Sequence, residues 1–336
     1  MKARLAAALC VLALLLTLVA VGSLFVGAAP VSPSAVLAIL AGRRGEYVAE
    51  VVVLDLRLPR IAVAALAGGA LAVAGTAFQA LTRNPLAEPS VLGVSGGAAF
   101  GAVTAQLFGL GLTVVQAVGV TAFAFAGAFV AGGAVYLIAS TSAGLPVHTL
   151  LLAGVIVGLF FASAITVLIS VVDVDRLGGV IHWLLGNVAP IPPGPLLVFA
   201  GLASVGFLVV LMQARRLNLL ALGEEAAGQL GVDAEAVKRW SFVGAALLTS
   251  SVVAFVGPIG FVGLIVPHAL RMMLGPDNRI LIPAAMLGGG VFLLAADTVA
   301  RNLIAPAELA VGVITSFCGA PFFVYLLRSR VDRVAP

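Results

Sequence analysis

The chain has 336 residues, of which 62% are hydrophobic and 10% charged, and its formal net charge is +4. A soluble domain carries roughly a quarter charged residues, so a water-soluble fold is excluded by the apolar surface it would have to hide. The basic balance reads as membrane topology, not as nucleic-acid binding, and Cys10 and Cys318, far apart in apolar runs without metal spacing, read as small core thiols.

A spanning helix needs about 20 apolar residues, and about ten such runs can be placed. In lipid the backbone must bond to itself, which leaves helices or a closed barrel. These runs do not alternate as barrel strands do. The fold class is therefore all-α, a polytopic membrane protein forming one domain over residues 1–336.

The first run, 5–28, follows Lys2 and Arg4. It is longer than the roughly 7–15 apolar residues of a signal peptide and is expected to be a retained span. Cleavage near Ala28 and Ala29 is the alternative. Residues 30–56 read as a partly exposed excursion with Arg43, Arg44, Glu46, Glu50 and Asp55. Span two, 59–81, opens after "RLPR" and ends in the polar turn "TRNPLAEPS". Spans three and four are 91–109 and 112–138, and the turn "STSAGLPVH" leads to span five, 148–171. A second excursion, "DVDRLGGVIHWLLGNVAPIPPG", holds a short helix and a Pro-rich stop before span six, 195–213. Spans seven to ten are 240–256, a shorter 260–274, 280–303 and 309–328. The spacing of Gly97 with Gly101, of Gly154 with Gly158, and of Gly68, Ala72 and Gly75 gives smooth stripes on which helix backbones can approach closely.

With the N-terminus in the cytoplasm, ten spans leave both termini cytoplasmic, and about two thirds of the basic residues fall inside. Arg43, Arg44, Arg57, Arg60, Arg176 and Arg301 fall outside, a surplus that needs another reason.

Between spans six and seven lies a charged island, residues 215–239. Gly223 can start a helix with Glu224 and Glu225 in its first turn, where carboxylates favour the dipole. Gly228 and Gly231 stop it, Asp233 is a natural N-cap, and Lys238 and Arg239 close a second short helix. Two capped mini-helices suggest a rigid docking surface; an ordinary solvated loop is the alternative.

An energy source is not visible in the chain. A P-loop needs a lysine that reaches phosphate, and neither Lys2 nor Lys238 has that context. A proton- or sodium-coupled carrier buries ionisable groups at mid-membrane, whereas Asp173, Asp297 and Glu308 fall near span ends. His148, His182 and His268 are isolated, so no metal site and no catalytic residues are expected.

Several long segments then stand in a familiar order: "RLPR" at 57–60, "RNPLAEPSVLGVSGGA" at 83–98 and "ALGEEAAGQLGV" at 221–232. "GPIGFVGLIVPHALR" at 257–271, "ADTVAR" at 296–301 and "ELAVGVITSFCGAPFFVYLL" at 308–327 complete them. The chain resembles the permease subunit of type II ABC importers, the FecCD/BtuC-like family that takes up iron siderophores, haem and cobalamin. Ala310 departs from the proline many relatives carry there.

The resemblance implies a homodimer in the cell inner membrane, with two separate ATPase subunits that bind ATP and Mg, and a substrate-binding protein. The chain itself would hold no cofactor. Leu222, Gly223, Glu224, Ala226, Ala227, Leu230 and Gly231 would couple to the ATPase. Arg57, Arg60 and Arg301 would dock the acidic lobes of the binding protein, with head-group snorkelling as the alternative for the first two. Asn84, Leu86, Thr141 and Ser142 would form the cytoplasmic gate, with plain helix connectors as the alternative. His268 and Arg271 would brace the spans. The expected cargo is an iron compound, haem or ferric siderophore, with cobalamin or a stand-alone secondary carrier as alternatives.

Overall fold

The computed structural model describes residues 2–27, 29–43, 45–107, 114–141, 144–171, 174–304 and 307–331. The helices are α1 (Lys2–Phe25), α2 (Pro33–Leu40), α3 (Tyr47–Glu50), α4 (Leu58–Thr82), α5 (Val94–Leu107), α6 (Val114–Ala139) and α7 (Val147–Val171). They continue as α8 (Val174–Leu184), α9 (Pro193–Leu220), α10 (Glu224–Gln229), α11 (Ala234–Val256), α12 (Val262–Leu274), α13 (Asn278–Asn302) and α14 (Val311–Val331). Among the described residues seven helices are long and apolar enough to cross a membrane, and α12 and the first part of α14, Val311–Val324, are shorter apolar helices. The protein is a multi-pass, all-α membrane protein.

The second half of the first excursion is helical. α3 runs through a π-turn, Val51–Arg57, straight into α4. Pro59 supplies the cause, having no N–H to give and a ring that clashes with the carbonyl one turn earlier. Widening the turn, with Leu58 N–H on Val53 O, absorbs the mismatch.

α4 is the central rod, buried over nearly all of its length from Arg60 to Leu81. Its small residues explain this. A Cβ on Gly68 would strike the Gly289 carbonyl of α13, one on Gly289 would strike the Gly68 carbonyl, and one on Gly75 would strike Gly263 of α12. Gly97 and Gly127 do the same between α5 and α6. In lipid, where apolar burial gives no drive to associate, such close approach supplies dispersion energy instead.

α5 and α12, with 14 and 13 residues among those described, are half-helices, shorter than the seven long apolar helices. Each is about 20 Å long, against a hydrocarbon core of about 30 Å. Irregular backbone precedes both: the 3-10 turn Pro89–Leu92 with Gly93 at φ 73° before α5, and Gly257–Phe261 before α12. Such backbone is tolerated at membrane depth only when buried in protein, and here the two stretches cover one another. The Glu88 carboxylate accepts the Phe261 N–H at 2.5 Å, and Phe261 itself adopts the left-handed region at φ 69°.

α12 and α13 are joined by a short capped turn. Asp277 accepts from Arg279 N at 3.0 Å and from Asn218 Nδ2 at 2.6 Å. Hydrogen bonding to the Arg279 side chain holds the Asp277 carboxyl down at about 2.

Two expectations need correcting. Cys10 and Cys318 are exposed on the apolar outside of the bundle, not core thiols. The second mini-helix of the island does not close at Arg239; it is the first turn and a half of α11, which continues to Val256. What leaves the long helices is only 221–233.

Replacing Gly289 by valine will force α13 off α4. Overpacking of this kind costs about 1–3 kcal/mol, so the detergent-purified variant should melt several degrees below wild type. An unchanged Tm would show that the contact is not tight.

Candidate functional site

Chemistry-bearing side chains gather at the two ends of the bundle. The first cluster sits where α4 and α9 end and α11 begins. α10 is held there as a short helix with Gly223 at φ 116° before it and Gly231 at φ 77° after it. Asp233 caps α11 by accepting from Ala236 N at 3.0 Å. Leu222 and Leu230 are 67% and 60% exposed, and Glu225 is exposed as well. Ala227, which the resemblance had put among the ATPase contacts, is fully buried and seats the helix on the chain.

Glu224 is not a free carboxylate. It accepts from Lys238 Nζ at 3.0 Å and faces Arg83 at 3.9 Å. Lys238 also pairs with Glu235, and its side chain is only 3% exposed. Glu235 in turn accepts the Leu145 N–H at 2.6 Å.

Two turns meet this cluster. In the first, Arg83 takes the left-handed conformation at φ 52° and Asn84 Oδ1 accepts the Leu86 N–H at 3.0 Å, an Asx-turn that fixes the shape. In the second, Thr141 and Gly144 exchange backbone hydrogen bonds of 2.9 and 3.0 Å. Gly144 has φ 116°, and a Cβ there would run into the Glu235 carboxylate, so only glycine fits. Ser142 lies outside the described residues, as do Arg44 and Asp173. Arg271 Nη1 donates to Gln79 Oε1 of α4 at 2.8 Å, a brace of the kind expected, and His268 packs edge-on to Phe322 at 6.1 Å.

The opposite end holds the second cluster. Arg60 is forked onto Asp297, with bonds of 3.0–3.2 Å, and onto Glu308 at 2.8 Å. Arg301 pairs with Asp297 at 3.2 Å and donates to Ser23 Oγ at 2.6 Å. Arg57 donates to the carbonyls of Leu24 and Ala29 at 2.5 and 2.7 Å. The three arginines are at most 9% exposed. These arginines, expected to dock a binding protein, are thus buried and bonded within the chain where α1 and α13 end and α4 begins. Asp297 is 1% exposed and Glu308 40%. Three guanidinium groups against two carboxylates leave the cluster one positive charge in excess.

Sequence reading missed Glu88, the carboxylate shared by the two half-helices, and it missed which basic residue of the Lys238–Arg239 pair faces inward. One signal was present for the second: residues one apart on a helix point about 100° apart, so only one of the two can follow the buried face of Val237 and Ser241.

A model of the FecCD transport family matches residues 14–329. The chain belongs to that family. The cobalamin import system permease protein BtuC of Halobacterium salinarum is 45% identical over 285 residues, 85% of this chain and 75% of that protein. The hemin transport system permease protein HmuU of Yersinia pestis is 41% identical over 286 residues, 83% of this chain and 84% of that protein. A solved inward-facing conformation of a metal-chelate type ABC transporter superposes with a TM-score of 0.82 at 32% identity, covering 96% of this chain and 99% of that one. This protein is thus an importer permease of the ABC type, and its fold is that of the BtuC-like permeases.

Asp297→Asn in the permease will leave Arg60 and Arg301 under-neutralised in a buried site. Removing one partner of a buried pair costs about 3–5 kcal/mol, and the variant should show a clear drop in Tm and in membrane yield. Wild-type stability in Asp297→Asn would mean that water or lipid already screens the cluster.

Proposed function

We propose that the permease imports a metal chelate, haem or ferric siderophore, as a homodimer driven by two separate ATPase subunits. The observation that carries this reading is α10, a capped helix raised between two long helices, with Leu222 and Leu230 exposed beside Glu225. Exposed leucines at a charged bundle end fit a protein partner, not lipid. α10 is the grip for the ATPase, through Leu222, Gly223, Ala226, Leu230 and Gly231, with Glu224 and Ala227 holding it from beneath. That end faces the cytoplasm, in keeping with the basic residues around it, and the membrane is the inner one. ATP and Mg belong to the partner.

The Asn84–Leu86 turn and Thr141, beside the same cluster, close the pathway. A cavity of about 440 Å³ next to the half-helix junction offers Ser90, Ser95 and Ser316 hydroxyls and no charged side chain. A pathway with few fixed ligands suits a large chelate that must leave as readily as it enters.

The binding protein docks at the opposite end. Its acidic side chains find Arg60 by taking the place of half-exposed Glu308, while Asp297 stays buried between Arg60 and Arg301. Such an exchange conserves ion pairs, so it steers and orients more than it tightens. A second cargo, cobalamin, is favoured by the 45% identity to a permease named for it.

The decisive experiment reconstitutes the permease with its ATPase and binding protein in proteoliposomes and offers haem, ferric hydroxamate and cobalamin in turn. Accumulation of one of them should require ATP and all subunits. Uptake by the permease alone that collapses with an ionophore would establish a secondary carrier. Leu222→Asp with Leu230→Asp should strip the ATPase from the purified complex, since exposed apolar anchors at an interface are worth about 1–2 kcal/mol or more each; undiminished co-purification would remove α10 as the grip.

A further inference from the structure

We propose that Lys238 is a positioning residue that carries movement of α10 to both gate turns of the same chain. The proposal rests on the reading of α10 as the motor contact, and adds the route by which a push on it reaches the pathway.

The route is an unbroken series of polar contacts. Arg83 ends α4 and opens the Asn84 turn, and it faces Glu224 of α10 at 3.9 Å. The second oxygen of Glu224 takes Lys238 Nζ at 3.0 Å. Lys238 pairs also with Glu235, and the other Glu235 oxygen takes the Leu145 N–H at 2.6 Å, beside the Thr141–Gly144 turn. Two cations meet two carboxylates, so the series is neutral and closed.

Burial decides which of these links transmits force. Arg83 and Glu224 are 48% and 40% exposed on their side chains, and water and salt soften their contact. Lys238 is 3% exposed. An ammonium group there cannot move off its two carboxylates without being stranded, which is costly. Glu235 is pinned in turn, because it fills the space before Gly144 that a Cβ would otherwise occupy.

α10 itself supplies the other half of the argument. A six-residue helix has too few hydrogen bonds to persist alone. Its flanking glycines, Gly223 and Gly231, have open space around them. Its position is therefore set by Ala227 beneath it and by the Glu224–Lys238 pair beside it, and a displacement of α10 displaces Lys238 and Glu235 with it.

The test uses the complete complex in proteoliposomes, with whichever of haem, ferric hydroxamate or cobalamin the wild-type complex accumulates. ATP hydrolysis and uptake are measured on the same vesicles. Lys238→Met is expected to keep hydrolysing ATP while uptake per ATP falls by about tenfold, within the usual range of coupling between sites. Lys238→Arg, which can still bridge two carboxylates, should restore most of it. A second readout separates transmission from simple structure. In a chain with Cys10 and Cys318 replaced by serine, His148→Cys at the start of α7 reports the turn, and its reactivity with a thiol reagent should change with ATP. Adding Lys238→Met should abolish that change. If Lys238→Met does not assemble, Glu235→Gln, which keeps an acceptor for Leu145 but loses the ion pair, is read in its place and should show the same split. Unchanged uptake per ATP and unchanged thiol response in these variants would overturn the relay while leaving the importer reading intact. A wild-type complex without ATP-dependent uptake would overturn the importer reading itself.

Discussion

Contact of backbone on backbone, with no side chain between, is the constraint on which this bundle depends. Gly68 and Gly289 each lie where a Cβ would enter the other's carbonyl, and a Cβ on Gly75 would enter the carbonyl of Gly263. Lipid tails compete on equal terms with leucine for an apolar surface, so bulky residues do not hold such helices together; fit does. α4 is accordingly a rod of alanine and glycine sunk among α9, α11, α12 and α13. A rod packed that closely does not bend independently of its neighbours. What happens at its Arg83 end is felt along a common, nearly incompressible core.

Lipid imposes the same economy on charge, and both charged ends of α4 show it. Each network is closed within the chain: Arg60, Arg301, Asp297 and Glu308 at one end, Arg83, Lys238, Glu224 and Glu235 at the other. This gives Arg60 and Arg301, two of the surplus outside arginines, partners within the chain. Arg60 finds its partners 237 and 248 residues downstream, a separation that no local pattern reports. Local signals did hold: the Asp233 cap, the glycine-bounded α10 and the long apolar runs were legible, because each is settled by neighbours a few residues away.

Depth in the membrane was the other hidden variable. Hydropathy measures whether a stretch is apolar, not how long its helix runs: 260–274 read as a short span and is the 13-residue α12, whereas 91–109 read as a full span and α5 begins only at Val94, after irregular backbone. The joint between them is built from residues that look like ordinary turn formers: Glu88 and Pro89 in one segment, Gly257, Pro258 and Gly260 in the other. Only their meeting shows the purpose. Glu88 satisfies Phe261 N–H, Pro89 lies against Gly263, and Gly93 comes within reach of the Gly154 carbonyl of α7. The GxxxG spacing of Gly154 and Gly158 thus serves a re-entrant loop, where the sequence pattern alone suggested a helix partner.

The contrast between the two ends bears on how such a molecule could change shape. At the Arg60 end the arginines are fixed from three directions, by Asp297, by Ser23 and by the carbonyls of Leu24 and Ala29, and only Glu308 reaches water. That end is a clamp on the tips of α1, α4 and α13. At the Glu224 end the charged groups of α10 and α11 are flanked by turns with positive-φ residues, Arg83, Gly144, Gly223 and Gly231. Rotation about such turns leaves helix hydrogen bonds intact, whereas opening the clamped end would strand buried guanidinium groups. On the proposed reading of α10 as the grip, the buried pairs of the Arg60 cluster would be the fixed point of a rigid-body tilt and the α10 end the one with the greater sweep.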